Sequence, residues 1–304
     1  MPEADYDEFG MLSQNADEIG LVLDREPAVT RRSFTVAPGQ VVSVIAWGEA
    51  EPELVLLHGG GQNAHTWDTL VLALGRPVLA IDLPGHGHSG RRPDRDYGPW
   101  RNAEAVAAVM DQASPRATAV VGMSLGGVTT IRLAATRPDL VRSAVIVDVS
   151  PQVGEPTATM SKADRGAVAL IFGPPVYDSF EAMAEAAVAA SPRRPRSAVE
   201  RGVRHNSVRL PDGRWTWRYD LFGERPAGMA DFTPLWEDVS AITAPVMLVR
   251  GGDSKFVTDD DVAEFRRRAP GLRAEVVPDS GHAVQSDQPL ALARLIQEFV
   301  FGQP

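Results

Sequence analysis

The sequence predicts an α/β fold, a mostly parallel doubly wound sheet with a cap insertion after the sixth strand. Three observations predict it. Short, continuously apolar runs such as Leu54-Val55-Leu56-Leu57 recur, as strands buried on both faces require. Helix-length segments separate them, so strand and helix alternate up to about residue 147 and again from 246 onward. Between these two regions the rhythm breaks, and an irregular stretch of this length inside one regular sheet reads as a cap over a site.

In chain order, residues 1–30 are acidic and weakly patterned and form an N-terminal extension without chemistry of its own, in which only 19–23 looks apolar enough to dock. The first part of the core runs over 31–152. Its predicted strands are 33–36 and 41–47, joined at Pro38-Gly39, then 54–57, 78–81, 118–121 and 143–147. Helices are expected over 66–74, 102–112 and 124–136. The cap, 153–235, holds many prolines, the arginines Arg193, Arg194 and Arg196, and a hairpin pattern turning at Pro211-Asp212-Gly213. The second part of the core, 236–304, supplies strands at 246–249 and 274–277 and helices at 260–268 and 290–299.

Bulk properties narrow the function classes. A chain of 304 residues, 44% hydrophobic and 23% charged, can bury a substantial core. A formal net charge of −10 argues against nucleic acid and against an anionic membrane surface as partners. With no cysteine there are no disulfides, thiolate metal sites or cysteine nucleophiles, which fits a cytoplasmic location. The start, Met1-Pro2-Glu3-Ala4-Asp5, lacks the basic and apolar regions of a secretory signal, and no run approaches the ~20 apolar residues that span a bilayer.

Four motifs carry chemistry. Gly122-Met123-Ser124-Leu125-Gly126 matches G-x-S-x-G between a predicted strand and a predicted helix. Small residues must flank a serine held on so tight a turn, and the helix start adds free backbone N–H groups beside its hydroxyl. The plainer alternative is a turn with Ser124 as an ordinary N-cap. His58-Gly59-Gly60-Gly61 follows the third strand. Its glycines permit close backbone approach, so an oxyanion hole is expected from the N–H groups of Leu125 and Gly60, with Gly61 as the other choice. Asp279-Ser280-Gly281-His282 supplies the general base, His282. The other histidines, His58, His65, His86, His88 and His205, fit the required chain order less well, and three of them sit in glycine-rich turns.

The fourth motif, Val249-Arg250-Gly251-Gly252-Asp253, offers the carboxylate that would orient His282. A second candidate, Asp148, follows the strand at 143–147. Asp253 is favoured because the two glycines permit a sharp exit and because one helix and one strand separate it from His282, whereas Asp148 can serve a turn at the cap entrance.

These residues resemble the α/β-hydrolase family. The resemblance extends to Asp82-Leu83-Pro84-Gly85-His86-Gly87-His88-Ser89, which looks like the family's D-x-P-G-x-G-x-S turn, and to Gly281-His282 with Pro289 beyond it. It covers about residues 31–150 and 236–301 and is specific for fold and catalytic residues rather than substrate. It implies a serine hydrolase with Ser124, Asp253 and His282, acting through an acyl-enzyme and requiring no cofactor and no metal. A serine at the elbow sets aside the members that use an aspartate nucleophile. The aromatic residues Phe172, Tyr177, Trp215, Trp217, Tyr219, Phe222 and Phe232 of the cap suggest an apolar pocket and a small or medium apolar ester or lactone as substrate. The arginines Arg201, Arg204, Arg209, Arg214 and Arg218 read as a solvated face. C–C bond hydrolysis, perhydrolysis and a binding module with poor turnover remain as alternatives.

Overall fold

The computed structural model describes residues 6–154, 160–220 and 231–302. Eight strands make the main sheet: β1 (Val29–Ala37), β2 (Gln40–Trp47), β3 (Leu54–Leu57), β4 (Val78–Ile81), β5 (Ala119–Met123), β6 (Ala144–Val147), β10 (Val246–Gly251) and β11 (Arg273–Val277). Their order is β1-β2-β4-β3-β5-β6-β10-β11, antiparallel at β1/β2 and β2/β4 and parallel elsewhere. Every residue of β3, β4, β5 and β6 is buried, which is why these strands read as unbroken apolar runs.

The pleat divides the core in two. Val55 and Leu57 of β3 face one side, Leu54 and Leu56 the other. The first side is covered by α3 (Pro99–Ala113), α4 (Leu125–Thr136), α8 (Leu235–Ala241) and α9 (Asp259–Arg268), through Val106, Val128, Leu235 and Phe265. The second is covered by α1 (Leu12–Glu18), α2 (Asp68–Leu74) and the closing α11 (Pro289–Phe301), through Leu12, Leu70 and Leu292. No helix among the described residues is long and apolar enough to cross a membrane.

The stretch between β6 and β10 adds a three-stranded antiparallel sheet in the order β7-β9-β8, with β7 at Val176–Tyr177, β8 at Ser207–Arg209 and β9 at Trp215–Trp217. The β8–β9 hairpin turns where the sequence pattern places it, with Gly213 at φ 90°. Helices α6 (Phe180–Ala189) and α7 (Arg196–His205) pack beside this sheet and share a small core with it, built from Met183, Ala187, Val199, Val203 and Trp217 together with Tyr97 of the main domain. Backbone hydrogen bonds from Gly87 to Arg218 and from Asp220 to Gly85 dock it on the 83–90 turn.

The N-terminal segment docks through part of 19–23, as expected, and also through α1 before it. Leu21 and Leu23 pack partly buried against the core while Val22 between them is 83% exposed, and α1 adds Leu12 and Ala16. Charge then fastens what packing begins. Glu8 Oε1 accepts from Arg31 Nε at 2.6 Å and from His65 Nε2 at 3.0 Å, while His65 Nδ1 donates to Asp68 Oδ2 at 2.8 Å. Tyr6 OH donates to His205 Nδ1 at 2.6 Å, and Glu18 pairs with Arg201. Burial opposes a charge on His65, but Asp68 and Glu8 outweigh it and raise its pKa from 6.5 to about 9.

His65 therefore stabilises the fold fully below about pH 6.5, and this contribution is lost as pH rises through about 9. Thermal melts between pH 6.5 and 10 should show the wild type losing stability more steeply than His65→Asn. At neutral pH, Glu8→Gln should cost on the order of 3 kcal/mol, because it strips one partner from a largely buried ion pair.

Candidate active site

Strand β5 ends at Met123 and α4 begins at Leu125, so the whole reversal falls on Ser124, at φ 51° and ψ −116°. A non-glycine residue held there costs roughly 1–3 kcal/mol, a strain that persists only where the surroundings enforce it. They do so by crowding. A Cβ on Gly122 would lie 2.2 Å from the Gly126 carbonyl oxygen, and one on Gly126 would lie 2.1 Å from that of Leu57. Only glycines allow this approach, and Ser124 N–H anchors the turn on Val147 O at 3.0 Å. As the first residue of α4, Leu125 presents one of the N–H groups that have no partner within the helix.

His282 lies on the loop after β11. Its Nδ1–H points at Asp148 Oδ2, 2.8 Å away, and Phe256 stacks on the ring at 3.6 Å between centroids. Its Nε2 is buried and has no hydrogen-bond partner among the described residues. The ring is thus oriented and packed, with one nitrogen left open for a proton.

The expectation that Asp253 orients His282 is corrected by this geometry. Asp253 is half exposed, and its Oδ2 accepts from Arg193 Nη2 at 3.0 Å. Asp148, fully buried at the end of β6, holds the histidine. The physical reason lies in the glycines that seemed to favour Asp253. A Cβ on Gly251 would meet Gly281 O at 2.2 Å, and one on Gly252 would meet Val277 O at 3.0 Å. They let the loop after β10 press against the histidine loop, and the pressed chain turns Asp253 outward. That loop donates to the acid instead of supplying it: Gly251 N–H reaches Asp148 Oδ1 at 2.9 Å, and Ser254 Oγ bonds Oδ2. Asp148 also has positive φ, 52°, a conformation it shares with only three other non-glycine residues among those described, Ser124 among them.

The His58–Gly61 loop lies against the elbow. A Cβ on Gly59 would be 3.3 Å from Ser124 Cβ, so the glycine is what lets the loop come this near. His58 itself is structural: Leu83 N–H donates to its Nε2 at 2.9 Å, and its Nδ1–H meets Gly59 O at 2.8 Å. Gly60 lines a cavity of about 450 Å³ together with Ser124 and His282. Asn206, just after α7, donates to Gly61 O at 2.7 Å and so ties the loop to the inserted segment.

Of the cap aromatics, Trp217 and Tyr219 line this cavity. Trp215 packs on Phe180 instead, Tyr177 joins the small core beside it, and Phe232 lies in the main core. The side chains of Phe172 and Phe222 lie outside those described. The wall is more polar than the aromatic content suggested, with Asn15, Glu18, Asn206, Arg193 and Arg194 in it. Sequence reasoning placed Arg193 and Arg194 in the cap but not in the cavity.

Among the described residues one buried set, His65, Asp68 and His205, brings potential metal ligands together. Its arrangement does not fit an ion. The two imidazoles are stacked 3.8 Å apart and within 10° of parallel, so lone pairs lying in the ring planes cannot converge on one point. Both nitrogens of His65 are, moreover, engaged by carboxylates.

Comparisons with known proteins show the family and the fold. Residues 54–295 match the sequence profile of the Alpha/beta hydrolase family. The chain is 50% identical to Esterase Rv0045c of Mycobacterium tuberculosis over 292 residues, 96% of this chain and 95% of the relative. A solved structure of that esterase superposes with a TM-score of 0.86 at 47% identity, covering 98% of this chain and all of the other. Lipase LipV of the same organism is 30% identical, over 83% of this chain and 94% of its own length. The chain belongs to the alpha/beta hydrolase family.

Proposed function

We propose that the chain hydrolyses carboxylic esters through an acyl-enzyme on Ser124, with His282 as general acid and base and Asp148 as the residue that orients it. The observation that carries this reading is a serine strained into the elbow beside a histidine whose Nδ1 is bound by a buried acid and whose Nε2 is open. The 50% identity to an esterase supports the same chemistry.

In the first half-reaction Ser124 Oγ attacks the ester carbon as His282 Nε2 takes the hydroxyl proton. Asp148 stabilises the resulting imidazolium and fixes its orientation. The negative oxygen of the tetrahedral intermediate rests on the N–H groups of Leu125 and Gly60, each such donor contributing roughly 10²–10³ in rate in serine hydrolases. Collapse breaks the ester C–O bond, and His282 returns its proton to the leaving alcohol. Water then attacks the acyl-enzyme with the same proton passed in reverse. Every charge that develops meets a group of this chain, so the sequence of steps calls for no metal or organic cofactor. Phe256, stacked on His282, keeps the ring in the plane that Asp148 sets.

Ser124→Ala should reduce turnover of short 4-nitrophenyl esters to the residual rate left by binding and the oxyanion hole alone, and should abolish labelling by a fluorophosphonate. A labelled peptide lacking Ser124 would sink the assignment.

A matched pair separates the two acids. Asp148→Asn should lower kcat by ~10⁴, as loss of the orienting carboxylate does in serine proteases, while Asp253→Asn should change it by less than about threefold, since an exposed ion pair contributes little. A severe effect of Asp253→Asn in a protein with an unchanged circular dichroism spectrum would refute Asp148. Ser254→Ala, which removes one donor to the acid, should fall between the two.

A further inference from the structure

The cavity beside Ser124 contains a guanidinium without a carboxylate. Arg193 pairs with Asp253 and Arg201 with Glu18, but Arg194, on the turn between α6 and α7, has no acidic oxygen within 4.0 Å among the described residues. Its Nε is buried without a hydrogen-bond partner, and its Nη2 reaches only Ala198 O, at 3.5 Å. The two carboxylates whose charge it feels, Glu18 and Asp287, are not in contact with it: Glu18 pairs with Arg201, and Asp287 accepts from the backbone N–H of Gly281 at 2.8 Å. Burial makes the charge on Arg194 harder to hold. A partly buried guanidinium with no carboxylate in contact is costly to hold, and a chain with 40 acidic residues had many ways to pair it directly. A guanidinium without a direct ion pair, in the wall of the cavity that holds the nucleophile, is what recognition of an anionic substrate group requires.

We propose that Arg194 binds a carboxylate carried by the substrate, so that the ester cleaved at Ser124 belongs to a molecule with a free acid at its other end, such as a half-ester of a dicarboxylic acid. This rests on the reading of the cavity as the active site. Arg193 does not share the task, because its guanidinium is held by Asp253, and Arg201 faces the N-terminal helix through Glu18. Arg194 acts by binding and not on the reacting atoms, so its effect falls on KM more than on kcat.

The test uses the full chain and pairs of chromogenic esters: 4-nitrophenyl half-esters of succinate, glutarate and adipate, and the same compounds with the free acid capped as a methyl ester. The wild type should prefer one half-ester over its capped counterpart. Arg194→Gln should lower kcat/KM on that half-ester roughly 10- to 100-fold, mostly through KM, the range expected for one charge-assisted contact. The capped ester should be cleaved at the wild-type rate within about twofold. Arg194→Lys should restore part of the loss. An equal loss on both esters, or no preference in the wild type, overturns the proposal while leaving ester hydrolysis intact.

A second arm needs no turnover. In the Ser124→Ala background, glutarate or adipate should raise the melting temperature, and Arg194→Gln should remove the rise. Protection by inorganic phosphate and not by either dicarboxylate would overturn the carboxylate assignment. If the wild type cleaves no ester at all, the active-site reading fails, and this arm still decides whether Arg194 binds the acid.

Discussion

A carboxylate with no access to water must be supplied with donors by the protein, and the arrangement around Asp148 follows from that demand. Three groups meet it: the Gly251 N–H, the Ser254 hydroxyl and the His282 ring. They come from the end of β10, the loop after it and the loop after β11, so satisfying one side chain at the end of β6 sets the relative position of three chain segments. The glycines at 251 and 252 let those segments close on each other. The strained backbone of Asp148 and that of Ser124 belong to the same construction, since each aims a side chain from the end of a buried strand into the space above the sheet.

The sheet itself was legible because its signal is local. Runs such as 54–57 and 78–81 are apolar throughout because both faces are covered, and no distant contact is needed to read that. The elbow was legible for the same reason, since its five-residue pattern is local: a Cβ on Gly122 would meet Gly126 O at 2.2 Å, although the crowding at Gly126 comes from Leu57 on the neighbouring strand. The acid was not. Asp148 and Asp253 both end strands and both precede His282, and the choice depends on which of them the loops turn inward. Gly251-Gly252 is a signal of close approach, but the sequence does not say what approaches. Its glycines accommodate Gly281 and Val277 rather than freeing Asp253.

The N-terminal segment shows a second limit of local reading. Glu8, Tyr6 and Glu18 sit in an acidic stretch that resembles a solvated tail, yet each meets a partner far along the chain: Arg31 and His65, His205, and Arg201. Charge pairing over nearly two hundred residues leaves no periodicity to detect. The same holds for the cavity wall. Arg194 belongs to an arginine-rich stretch that the sequence places in the cap, and only the fold shows that it lines the space beside the nucleophile.

The clasp made by Glu8, Tyr6 and Glu18 touches both halves of the molecule, with Arg31 and His65 in the sheet domain and Arg201 and His205 on α7 above the cavity. Residues 6–18 thus act as a tether across the seam between the two. Variants shortened at the amino end to aid expression would keep the elbow, the histidine and the acid while releasing α7 from below. Such trimming would alter the roof of the cavity without touching a reacting group, and kinetic differences between long and short forms would report on how that roof is held rather than on the chemistry beneath it.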